Sequence, residues 1–204
     1  MKQFRSILEL VLTVVVAAGL AFLIQAFVVK PYRIPSGSME PTLAINQRIL
    51  VNRLDTKPGL GDVVVFHPPV GAQGSGTCGN PTQGMTGEVN PLSAPCDKPV
   101  AGESKEVFVK RIVGLPGDRL KITDGHVIRN GKREKDSYIS TSLCPGSGEC
   151  TFSETIVVPP GDDYMMGDNR GNSEDSRFWG PLPQKYIIGE AFFTYWPIGR
   201  IGVL

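Results

Sequence analysis

The chain has 204 residues, room for one domain or for a domain with a small companion. Its 21 Lys and Arg balance 20 Asp and Glu, which excludes both the basic excess of a nucleic-acid binder and an acidic disordered tail. The 24 Gly and 17 Pro imply frequent turns and favour an all-β domain over a helical one.

The first element is an apolar run, Leu10 to Val29, broken only by Thr13, Gly19 and Gln25. As a helix it would be about 30 Å long, the thickness of a bilayer core. Lys2 and Arg5 precede it and Lys30 and Arg33 follow it, so the positive-inside rule leaves its orientation open. The run is long for a signal peptide, and its end, "QAFVVKPY", lacks a small-x-small cleavage site. Residues 1–30 are therefore expected to be a retained single-pass anchor, with residues 31–204 as the domain it carries. Almost at once comes "YRIPSGSMEPTL", Tyr32–Leu43. Pro35 and Pro41 stiffen its flanks, Gly37 permits a tight turn, and "SMEP" suits a short helical turn that could expose Ser36 or Ser38.

Short strands follow: Arg48–Asn52, Val63–Phe66, Val107–Val113, Arg119–Thr123, His126–Arg129, Thr155–Val158, Tyr164–Met166 and Tyr186–Tyr195. "TDGHV" and "RNGKR" carry the Asp-Gly and Asn-Gly turns of hairpins. Between the second and third strands, residues 67–104 are rich in Pro, Gly, Ser and Thr, and read as an inserted surface loop, functional or mobile. Four cysteines, Cys78, Cys96, Cys144 and Cys150, form two sequence-local pairs with no zinc spacing, so no metal is expected. Of three possible connectivities, 78–96 with 144–150 is the economical one, and disulfides place the domain outside the cytosol.

A serine nucleophile needs a base. The chain has two histidines, and both His67 and His126 read as exposed turn residues, although a triad assembled in space remains open. The alternative lies in "EVFVKRIVG". As a strand it puts Phe108, Lys110 and Ile112 on one face and Arg111 on the other. A free lysine, with a pKa of about 10.4, is neutral in only about one molecule in 2,500 at pH 7. Bringing it to about 7 requires the cation to be destabilised by about 4.6 kcal/mol, which apolar burial can supply. A third cluster, "MMGDNRGNSEDSRFWG", packs Asp168, Asn169, Arg170, Asn172, Ser173, Asp175, Ser176 and Arg177 between apolar flanks. That placement suggests a packed, mutually hydrogen-bonded loop.

Taken together, "PSGSMEPTL", "GDVVVF", "KRIVGLPGD" and "GDNRGNSEDSR" resemble, in order and behind an anchor, the sequence boxes of the bacterial type I signal peptidases. The resemblance implies a mainly β fold: antiparallel sheets in a barrel-like catalytic core, with a smaller β sub-domain at about 119–153. It implies that Ser38 is the nucleophile and Lys110 the base, with Ser36 and the Ser38 N–H as oxyanion donors and Ser173 orienting Lys110. Asp168 would pair with Arg111, and Asp175 with Arg177. Ile34, Pro35, Met39, Leu43, Phe108 and Val109 would shape pockets for small substrate residues; for Leu43, core packing is the plainer account. The endoplasmic-reticulum homologues use a histidine where this chain has Lys110. Gly171 departs from the usual second aspartate of the last box. The expected activity is removal of signal peptides from preproteins at the outer face of the cell membrane, beside the export machinery, with no cofactor and no nucleic acid. Two other readings account for less of this pattern: a self-cleaving serine–lysine regulator, which would need a DNA-binding domain in place of the anchor, and a non-catalytic anchored β-domain.

Overall fold

The structure, a computed structural model, describes residues 2–54, 57–73, 77–80, 94–145 and 148–204, giving only the backbone of residues 2–5, 8 and 24–26. Helix α1 spans Lys2–Phe27. It stops two residues before the end of the apolar run. Pro31 cannot continue a helix and biases Lys30 towards an extended conformation, so the chain enters strand β1, Val29–Arg33, directly. The described side chains of α1 run unbroken only over residues 9–23, all exposed. Among the described residues no helix is long and apolar enough to cross a membrane.

The remaining elements are β2 (Arg48–Asn52), β3 (Val63–Phe66), β4 (Phe108–Gly114), β5 (Arg119–Thr123), β6 (His126–Arg129), β7 (Lys132–Arg133), β8 (Ile156–Val157), β9 (Asp162–Met166), the short helix α2 (Ser176–Trp179), β10 (Leu182–Pro183), β11 (Ile187–Trp196) and β12 (Gly202–Val203). All strand pairs are antiparallel. The larger sheet runs β1-β2-β11-β3-β4-β9-β10 with β12 on β11, and it ends at β1 and β10 without closing, so the barrel is partial. The second sheet runs β7-β6-β5-β8. Its hairpins turn at Asp124-Gly125 and Asn130-Gly131, where all four residues have positive φ, the geometry that such dipeptides adopt at least cost.

Strand β3 is buried on both faces, which is why its sequence is a continuous apolar run rather than an alternating one. Val63 and Val65 join Ile34, Met39, Leu43, Ile49 and Val51 on one side. Val64 and Phe66 join Ile112, Met165, Trp179 and Leu182 on the other. A third cluster, including Val113, Leu120, Phe152, Tyr164 and Met166, welds the small sheet to the ends of β4 and β9.

The 67–104 segment is not simply a surface loop. Ala72, Ala94 and Cys96 are buried, Cys78 is bridged to Cys96, and the Cys96 N–H donates to the Arg177 carbonyl. Small residues and backbone groups make these contacts, and they leave no apolar periodicity to read. Residues 74–76 and 81–93 of this segment lie outside the described residues. Cys144 is bridged to Cys150.

Candidate active site

Ser38 sits in a single 3-10 turn, Gly37–Met39. The turn is anchored by its apolar neighbours: Ile34, Met39 and Leu43 are buried in the core, and the Leu43 N–H donates to the Met39 carbonyl. Ser36 and Ser38 are left facing a cleft of about 670 Å³, lined also by Ile34, Pro35, Met39, Phe108 and Val109. Leu43, counted on sequence among the pocket residues, is fully buried below and does not line the cleft.

Strand β4 brings the second group. Its register with β3 pairs Lys110 with Val64 and Phe108 with Phe66, so Lys110 shares a face with apolar side chains and is only 5% exposed. Lys110 Nζ donates a hydrogen bond to Ser38 Oγ at 2.7 Å. Burial lowers the lysine pKa to about 8; Asp175 opposes the shift and Arg177 adds to it. About one molecule in ten therefore carries a neutral amine at pH 7, in contact with a hydroxyl. Ser36 Oγ donates to the same Ser38 oxygen at 3.3 Å.

The segment Gly167–Arg177 closes the site from the other side. On the opposite face of β4 from Lys110, Arg111 Nε and Nη2 donate to Asp168 at 2.8 and 2.7 Å, and Thr42 Oγ1 donates to the same carboxylate. Arg111 thus neutralises Asp168 without adding a charge beside Ser38. Asp175 caps α2, accepts the Gly167 N–H at 3.0 Å and forms a fully buried ion pair with Arg177. The cation in turn donates to the Ser173 and Glu149 carbonyls, which fixes the curvature of the segment. The buried Arg170 donates to the Gly167 and Gly125 carbonyls, tying the segment to the β5–β6 turn.

Ser173 departs from the expected role. It lines the cleft, but its buried Oγ has no hydrogen-bond partner among the described residues, so no bond to Lys110 is made. The hydroxyl is turned against Gly167, where an added Cβ would lie 2.2 Å from it. The two histidines are bonded elsewhere, His67 Nδ1 to the Glu106 carbonyl and His126 Nδ1 to Asp136, and neither lines the cleft. Thr42, Asn169 and Arg170 were given no individual role from sequence. For Asn169 and Arg170 the available signal is the packed polar loop, which names participants without partners; Thr42 lies outside that loop, in the serine segment, and nothing in its sequence context points to Asp168.

Gly171 has a steric explanation. A Cβ there would lie 2.5 Å from the Leu143 backbone, so the loop carrying Cys144 occupies the space a side chain would need.

The family profile described as "Signal peptidase, peptidase S26" matches residues 7–196. Among curated proteins, the chain is 36% identical to a probable signal peptidase I-2 of Synechocystis sp., covering 97% of this chain and 77% of that one. It is 33% identical to a signal peptidase I of Leptolyngbya laminosa, covering 100% and 86%. It is 28% identical to a signal peptidase IB of Staphylococcus aureus, covering 96% and 93%. Among solved structures, a signal peptidase I from Enterococcus faecalis aligns over 66% of this chain and 96% of its own, at 21% identity and a TM-score of 0.42.

Proposed function

The chain belongs to the signal peptidase family, peptidase S26, and from that premise we propose that it is a membrane-bound endopeptidase that removes signal peptides from exported preproteins through a Ser38–Lys110 dyad. The observation that carries the dyad is the 2.7 Å contact between Ser38 Oγ and a buried Lys110 whose pKa has fallen to about 8. Ser38 Oγ attacks the scissile carbonyl carbon while the neutral Lys110 takes the hydroxyl proton. The resulting oxyanion is met by the Ser38 N–H and by Ser36 Oγ, once Ser36 turns from its present bond to Ser38; one such donor typically supplies about 3–4 kcal/mol. Collapse breaks the C–N bond, and Lys110 returns the proton to the leaving amine. Water then attacks the acyl-enzyme, giving a proton to Lys110; collapse breaks the bond between the acyl carbon and Ser38 Oγ, and Lys110 returns that proton to Ser38 Oγ, which regenerates the hydroxyl and the neutral amine.

The substrate would enter as a strand. The register of β4 with β9 begins at Arg111, which leaves the edge at Phe108, Val109 and Lys110 beyond it. An extended signal peptide could add there, with small side chains directed between Ile34, Pro35, Met39 and Val109. The apolar run Leu10–Val29, which α1 occupies as far as Phe27 and whose described side chains on the helix are exposed, would cross the lipid bilayer. That keeps Ser38 close to the membrane surface where a preprotein would leave the export machinery. The two disulfides support an extracytoplasmic catalytic domain, with the β5–β8 sheet as its smaller sub-domain.

The test is cleavage in trans by the purified full chain in detergent. Wild type should cut a preprotein at its signal-peptide junction, and Ser38→Ala should not. Retained cleavage by Ser38→Ala would remove Ser38 as nucleophile.

A further inference from the structure

Building on the serine mechanism above, we propose that Asn169 is the positioning residue of the oxyanion site, holding the Ser38 N–H in its working direction. Two hydrogen bonds run from this one residue to the nucleophile turn: its side-chain Nδ2 donates to the Gly37 carbonyl at 3.1 Å, and its backbone N–H donates to the Ser38 carbonyl at 3.1 Å. The Gly37 carbonyl and the Ser38 N–H belong to the same planar trans peptide and point in opposite directions. Fixing the carbonyl therefore fixes the N–H. Because the carbonyl is drawn towards Asn169, the N–H points away from it. Gly37 and Ser38 line the cleft and Asn169 does not, so the N–H is aimed at the side from which a substrate arrives.

The second bond locks the next peptide plane, so the turn is held on both sides of the Ser38 Cα. A Gly37–Ser38 peptide without these restraints could rotate readily, since glycine accepts most backbone conformations. The Glu40 N–H also reaches the Gly37 carbonyl, at 3.1 Å, but it belongs to the same turn and would move with it. Asn169 is the fixed external partner. Its own position is set by a parallel bridge to Ser140, by the Ser140 N–H on the Asp168 carbonyl, and by the Arg170 N–H on the Ser140 carbonyl.

The other half of the amide fits this role. Asn169 Oδ1 is buried with no hydrogen-bond partner among the described residues. An unpaired buried oxygen destabilises a fold, and its retention suits a side chain kept for what Nδ2 does.

The experiment compares two ligands on the full-length protein in detergent. One is a peptide aldehyde with small residues at the positions before the reactive carbon, which forms a tetrahedral adduct on Ser38 and needs the oxyanion donors. The other is the corresponding product peptide, ending in a carboxylate, which needs only the cleft. In Asn169→Ala, kcat should fall about 10- to 100-fold with little change in KM, short of the 10²–10³-fold typical of losing a donor outright. Aldehyde affinity should fall by a similar factor, and product-peptide affinity should hold. Equal weakening of both ligands, or a rise in KM that accounts for the loss, would make Asn169 a general support of the fold and overturn the proposal, as would unchanged kcat. Should Asn169→Ala lose its cooperative thermal transition, the isosteric Asn169→Asp carries the same comparison, since it sets a carboxylate oxygen against the Gly37 carbonyl. A wild-type protein that neither cleaves precursor nor binds the aldehyde would instead sink the serine mechanism, and this inference with it.

Discussion

Lys110→Met should abolish cleavage and yet stabilise the protein at neutral pH. The substitution replaces an ionisable side chain by an apolar one of similar length at a position only 5% exposed. In the folded protein the lysine titrates at about 8, against 10.5 in the absence of the fold. Between these values the unfolded chain binds more protons, so wild-type stability rises as the pH rises from about 8 to 10.5, and the penalty is fully present below 8. At about 1.4 kcal/mol per pH unit, the penalty is about 3 kcal/mol at pH 7. The variant also loses the hydrogen bond to Ser38 Oγ, about 1 kcal/mol, leaving a net gain of about 2 kcal/mol. For a chain of this size 1 kcal/mol moves Tm by about 2–4 °C, so Lys110→Met should melt about 4–8 °C above wild type at pH 7. Near pH 10.5 the penalty is largely gone, and the variant should melt slightly below wild type. Thermal unfolding followed by circular dichroism, in detergent over this pH range, reads both values. A variant less stable at pH 7, or a Tm difference that does not change with pH, would refute the assignment of the low pKa to burial.

The same lysine should appear in the kinetics: kcat/KM should fall on the acid side with an apparent pKa near 8, and a limb near 10 would mean that Lys110 is not desolvated in the working enzyme. Ser38→Ala, Lys110→Ala and the double variant should lose activity to similar extents, because one proton transfer needs both groups; additive losses in a cleavage assay would separate them. Gly171→Ala should destabilise the protein by about 1–3 kcal/mol, because its Cβ meets the Leu143 backbone; an unchanged Tm would show that the 140–150 loop yields freely.

Much of the local structure was legible in the sequence. Strands β2, β3, β5 and β6 have the bounds expected from their β-branched residues and their Asp-Gly and Asn-Gly turns, since side-chain alternation and turn chemistry act over a few residues. The same period-two argument puts Lys110 with Phe108 and Ile112, and the register with β3 agrees. Features that depend on distant packing were not legible. Pro31 marks locally where the helix must end, but that Val29–Arg33 then forms a strand depends on β2, which pairs with it residue by residue. Asn169 meets the Gly37 carbonyl across 132 positions, and Ser173 faces Gly167 rather than Lys110. Leu143 fills the space beside Gly171 only because the small sheet delivers its loop there. Sequence patterns report which groups a segment offers and on which face. Which of them meet is decided by how the two sheets and their loops pack, and a hydrogen bond that fails at half an ångström cannot be read from spacing alone. The sequence by itself therefore determined the chemistry on offer, a serine turn and a lysine in an apolar strand. Only the tertiary structure decided that the two meet at 2.7 Å, and that a buried asparagine holds the peptide between Gly37 and Ser38.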